Sequence, residues 1–148
     1  VTGVAAILRH RGVSLACQTA IGLVFLAASL TKIGDTATFA RQIHAYRLLP
    51  FGLENLFAIA LPWVELVLAL AILLRLHPRA GSVVGAGLAA LFVVAVTAAL
   101  ARGLDIECGC FGTADAGRVG TAKLLENIGL LAVAVAACVV PRRADEEA

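Results

Sequence analysis

Two cysteines separated by a single glycine, Cys108-Gly109-Cys110, followed by Phe111 and Gly112, are the residues of this chain whose type and spacing invite chemistry. A thiolate attacks disulfides and also grips soft metal ions. Glycine lets the backbone bend sharply, so a Cys-X-Cys pair can close into a small strained ring. Strained, exposed disulfides exchange readily, whereas structural ones resist reduction. Three readings follow: a redox pair, a Cu(I) or Zn(II) ligand pair, and a disulfide that only fixes a loop. The residues around the motif have to decide between them.

The elements that position the pair are membrane elements. Of the 148 residues, 61% are hydrophobic and 15% charged; the mean hydropathy of +0.96 is far above the soluble range. Apolar runs predict membrane spans at about 13–33, 55–74, 80–101 and 122–140. The fold class expected is all-α: an integral membrane bundle of four transmembrane helices forming one domain, with a short extracytoplasmic interfacial helix between helices 1 and 2. The first run is longer than a signal-peptide core and reads as a retained signal anchor. A net charge of +2, with its basic residues scattered, does not make a nucleic-acid surface. Phosphate-loop, dinucleotide, zincin and nucleophile-elbow motifs are absent from the sequence.

Between the first two spans, Phe39, Ile43, Tyr46 and Leu49 recur at helical spacing. The interfacial helix is therefore predicted at about 36–48, capped by Asp35 or Thr36 and followed by Pro50. Arg41, His44 and Arg47 would face headgroups or a partner. His44 reads as an interfacial residue before a base or metal ligand, and Trp63 and Tyr46 as packing or membrane-interface residues. In the third span Gly81, Gly85 and Gly87 suggest a close-packing face. The cysteine motif lies in the polar loop at about 102–121.

Four spans place both termini and the second loop on one side. Of the 12 Lys and Arg, six fall on that side (Arg9, Arg11, Arg75, Arg79, Arg142, Arg143) and six on the other (Lys32, Arg41, Arg47, Arg102, Arg118, Lys123). Density breaks the tie, since the first set occupies roughly 25 polar residues and the second roughly 40. The expected placement is a cell (inner) membrane, with cytoplasmic termini and the Cys108/Cys110 loop extracytoplasmic, where disulfides persist. Lys32, Glu126 and Asn127 then fall near the outer boundary and Glu65 roughly 15 to 18 Å into the second span. An intramembrane carboxylate needs a partner, and a Lys32 ammonium reaching Glu65 would supply one while favouring a nearby thiolate. The plainer alternative has Lys32 snorkelling to headgroups and Glu65 bonded to a neighbouring helix. Cys17 and Cys138 both fall near the cytoplasmic ends of their helices, and read as inert small hydrophobes before a second redox pair.

The stretches Gly22 to Lys32, Ala45-Tyr46-Arg47-Leu48-Leu49-Pro50, Leu61-Pro62-Trp63-Val64-Glu65-Leu66 and Cys108-Gly109-Cys110-Phe111-Gly112 together resemble the MauE family, methylamine-utilisation membrane proteins of the wider DoxX-like group. The resemblance implies a four-helix membrane bundle associated with thiol-disulfide chemistry and an extracytoplasmic thioredoxin-fold partner. It carries over Cys108 and Cys110 as the reacting pair. Lys32 and Glu65 match recurring positions without an assigned role.

The reading reached from sequence is a membrane thiol-disulfide oxidoreductase, or the membrane half of one. Cys108 is taken as the more accessible, attacking thiol, and Lys32, Glu65, Asn127, Gly109, Phe111 and Gly112 as supporting residues. Electrons would pass to a quinone held near Glu65 and Trp63, or through Cys17 and Cys138. Two alternatives stay open: a soft-metal-binding transporter, and a non-enzymatic assembly factor that holds a partner against the bilayer.

Overall fold

The computed structural model describes residues 11–110 and 117–138. Phe111 and Gly112, with Arg9, Arg142 and Arg143, lie outside them. Five helices follow in order: α1 Arg11–Gly34, α2 Thr36–Ala45, α3 Leu53–Leu73, α4 Pro78–Ala101 and α5 Thr121–Cys138. All but α2 are long and apolar enough to cross a membrane, as the hydropathy pattern predicts. No strand occurs among the described residues; one isolated bridge pairs Glu107 with Arg118.

α1 packs mainly on α3, α4 on α5, and α1 against α5 joins the two halves. The buried face of α1 is a stripe at helical spacing, Ser14, Gln18, Ile21, Phe25, Ala28 and Lys32, apolar in the middle and polar at both ends. Its middle joins Leu68, Ala69, Ile72, Ala134 and Ala137 in one core. Close approach of α1 to α3 depends on Gly22, where an added Cβ would sit 2.8 Å from Leu73 Cγ. Gly81 and Gly85 likewise face Ile72 and Phe25, but Gly87 faces open space and drops out of the expected glycine face. Leu23, Leu30, Ile59, Val67, Leu91 and Val94 point outward, as residues solvated by lipid do.

α2 starts where expected, with the Asp35 carboxylate accepting from the Thr38 amide at 3.0 Å, and this bond holds the carboxyl below the usual range. It ends earlier than predicted, at Ala45 with Tyr46 as C-cap, and Arg47 adopts a left-handed φ of 49°. Its buried face is Phe39, Gln42 and Tyr46, so a polar glutamine takes the place expected for Ile43. Lys32 is in the last turn of α1, yet it meets Glu65 in the middle of α3. α1 therefore stops roughly two turns short of the start of α3, and α2 lies across the space above it.

Candidate functional site

That space holds the cysteine motif. Ile106 to Cys108 is held in extended pairing by Val119 N–H donating to the Ile106 carbonyl at 2.8 Å and Cys108 N–H donating to that of Gly117 at 3.0 Å. Gly109 then turns the chain at φ 66°. A Cβ there would lie 2.7 Å from Gln42 Oε1, so both the conformation and the space require glycine. The turn drives Cys108 and Cys110 inward against Val96, with Phe92, Leu100, Val119 and Leu124 around them. All four described cysteines are free thiols.

Both loop cysteines are buried, at 4% and 6% exposure, which corrects the expectation of an accessible Cys108. What separates them is hydrogen bonding. Cys110 Sγ sits 3.8 Å from the Cys108 carbonyl oxygen, and its thiol also bonds the Cys108 sulfur. That bond, with help from the Tyr46 hydroxyl and the Lys123 charge, brings Cys108 down to about 6, whereas the same bond and burial push Cys110 up. The two sulfurs share one proton, and Cys110 keeps it.

Side chains from all five described helices lie beneath and beside the pair. Lys32 Nζ donates to both Glu65 oxygens, at 2.7 and 2.9 Å, and neither residue has any exposed surface. Lys32 therefore does not snorkel. Its ammonium is sandwiched between the Phe39 and Phe92 rings, 5.0 and 4.9 Å from their centroids, which compensates part of its desolvation. Asn127 Nδ2 donates to the Lys123 carbonyl at 2.8 Å, which fixes the amide and leaves buried Oδ1 without a partner. Glu65, Cys110, Asn127, Phe92 and Phe25 line one cavity of about 10 Å³.

Two functional residues were missed from sequence. The Tyr46 hydroxyl donates to the Cys108 carbonyl at 2.6 Å, and burial pushes the pKa of the phenol up, so it stays protonated. Its own carbonyl accepts from Arg102 Nη1 at 2.8 Å. Gln42 covers Gly109 and donates to Glu107 at 3.1 Å. The available signal was their spacing: Gln42 and Tyr46 are four apart on one helical face.

Other candidates fall away from the site. His44 Nδ1 lies 3.1 Å from Glu54 with its ring 66% exposed, a corner contact between α2 and α3. Trp63 is exposed on an outer groove of about 420 Å³ that shares no residue with the cysteine site. Glu65 and Trp63 thus face different ways, and the cavity at Glu65 is of water size rather than quinone size. This corrects the expected quinone position. Among the described residues no three His, Cys, Asp or Glu side chains gather as a metal centre. Cys138 Sγ bonds the Ala134 carbonyl of its own helix at 3.2 Å, and Cys17 packs on the core.

Residues 10–140 match the family model described as methylamine utilisation protein MauE. A methylamine utilization protein MauE of Methylophilus methylotrophus is 32% identical over 123 residues, covering 82% of this chain and 65% of that protein. The protein of the same name from Paracoccus denitrificans is 30% identical, covering 78% and 63%, and that of Methylorubrum extorquens 29%, covering 73% and 59%. The chain spans less than two thirds of the length of these relatives. No solved structure matches it.

Proposed function

This chain belongs to the MauE family, and on that footing we propose that it is a multi-pass membrane component of thiol-disulfide exchange acting through Cys108 and Cys110. The observation that carries the proposal is the inequivalence of two adjacent thiols. Hydrogen bonds from Cys110 and Tyr46 and the Lys123 charge lower Cys108 to about 6, while the bond to Cys108 and burial raise Cys110, an asymmetry that suits an attacking and a resolving thiol.

In the proposed sequence Cys108 attacks a disulfide of an extracytoplasmic thioredoxin-fold protein and forms a mixed disulfide. Cys110 then displaces the partner's second sulfur as a thiolate, leaving a Cys108–Cys110 disulfide and a reduced partner. The reverse sequence oxidises the partner and so supports disulfide formation in secreted proteins. Both cysteines are buried, so docking has to move Gln42 and Tyr46 off the Gly109 turn. The loop faces outward and the termini inward in this reading. A role in methylamine utilisation, the process for which the relatives are named, is the first setting to examine.

The test is to express Cys110→Ser in membranes together with a candidate thioredoxin-fold partner and look for a mixed disulfide on non-reducing gels, with mass spectrometry of the linked peptide. The expected adduct joins Cys108 to the partner. It is absent in Cys108→Ser. Equal adduct from both variants, or none with any partner while the parent thiols stay inert to small disulfides, would overturn the reading.

A further inference from the structure

Resolution of a mixed disulfide demands that Cys110 lose a proton inside a nearly closed site. Creating a thiolate there adds a negative charge that water does not solvate, which is costly unless charge is redistributed nearby. The Lys32–Glu65 pair offers that redistribution. It is net neutral, fully buried, and Glu65 shares a cavity wall with Cys110. If the Cys110 proton passes to Glu65, the total charge of the cluster is unchanged, and the Lys32 ammonium is left to pair with sulfur instead of carboxylate.

The path is also present. A cavity of about 10 Å³ has room for one water, which needs two to four polar partners. Asn127 Oδ1 is buried without a hydrogen-bond partner, and Glu65 and Cys110 line the same cavity; a water there would donate to the Asn127 Oδ1 and to a Glu65 oxygen and accept from the Cys110 thiol.

Resting on the thiol-exchange reading, we infer that Glu65 is the proton acceptor for Cys110 during disulfide closure and its donor on reduction, with Lys32 exchanging its partner from carboxylate to thiolate and Asn127 holding the relaying water. In the closing direction Cys110–SH and Glu65 carboxylate become Cys110 thiolate and Glu65 carboxylic acid. The thiolate attacks Cys108 in its mixed disulfide; the Cys108–Cys110 bond forms, the Cys108–partner bond breaks, and the electron pair leaves on the partner's sulfur. With no thiolate left, Lys32 reclaims the carboxylate and the Glu65 proton passes to the outer solution. The groups facing this site are Lys32 from α1, Tyr46 from α2, Glu65 from α3, Lys123 from α5 and Cys108 from the loop, while α4 presents Phe92 and Val96.

The experiment uses the full chain in detergent or nanodiscs, with Cys17→Ser and Cys138→Ser so that only the loop pair reacts, and dithiobis-nitrobenzoate as the probe. Attack by Cys108 releases a first nitrobenzoate thiolate and resolution by Cys110 a second. Glu65→Gln is expected to slow the second release relative to the first, on the order of a hundredfold as for loss of a general base. Raising the pH should restore it, since hydroxide then removes the Cys110 proton. The paired Lys32→Met/Glu65→Gln variant, which leaves no lone buried charge, should show a second phase at least as slow, because the thiolate also loses its ammonium partner, and raised pH should rescue it likewise. A second phase at the parent rate in both variants, or a slow one that pH does not rescue, overturns the inference. Failure of the exchange reading looks different: the parent protein then gives no second release, or Cys108→Ser leaves the first intact.

Discussion

The two ends of the α1 stripe carry similar parts and arrange them differently. At the cysteine end Lys32 and Ser29 are buried beside Glu65, Asn127, Tyr46 and a Cys-Gly-Cys turn. At the opposite end Ser14 and Gln18 are buried near Cys17 and Cys138, with Gln18 donating to the Ala137 carbonyl at 3.5 Å. Each end therefore has two cysteines and buried polar groups. Among the described residues, the first has a cation, a carboxylate and a second thiol aimed at the sulfur, and the second has none of these. Cysteine reactivity follows that environment, because a thiolate forms where donors and positive charge stabilise it and not where a helix carbonyl takes the S–H.

The largest expected effect tests that contrast directly. Cys108→Ser abolishes exchange with a small disulfide, whereas Cys17→Ser/Cys138→Ser leaves its rate within about twofold, because both of those cysteines sit in membrane-spanning helices away from the loop pair. Stopped-flow release of nitrobenzoate thiolate measures both. Loss of rate in the second variant would make the two ends a relay.

Stability separates the ends next. Lys32→Met strands a buried carboxylate and should cost about 3–5 kcal/mol, while Lys32→Met/Glu65→Gln recovers most of it. Gln18→Leu at the other end loses one long hydrogen bond and should cost no more than about 1 kcal/mol. Thermal unfolding in detergent followed by fluorescence ranks all three.

Gly109→Ala comes third. Its left-handed conformation costs roughly 1–2 kcal/mol, and the contact with Gln42 adds to that unless the side chain yields. The Gly109→Ala/Gln42→Ala pair recovers the contact but not the conformation. The smallest effect is Tyr46→Phe, which removes a donor that lowers the Cys108 pKa. Cys108 is thiolate above about pH 6 and thiol below it, so its alkylation rate falls as pH drops through that value. In Tyr46→Phe the midpoint moves upward, and stability falls by about 1 kcal/mol. An unchanged midpoint would mean that Tyr46 holds the loop without tuning the sulfur.

The four spans, the capped start of α2, the cysteine turn and the need of Glu65 for a partner are all legible in the residues alone. Those follow from run length, local spacing and the cost of a charge in lipid, which are properties of short stretches. The sequence did not determine which way the long helices face. Their sequences are mostly apolar all round, with polar residues too few and too scattered to mark the buried side along each helix, and Trp63, two residues from Glu65, was not separated from it. Nor did it determine helix offset, which depends on where α1 stops against α3 and puts Lys32 onto Glu65. The burial of Cys108 and Cys110 under Gln42 and Tyr46 was likewise settled only when α2 folded across that offset, bringing together groups more than 60 positions apart in sequence.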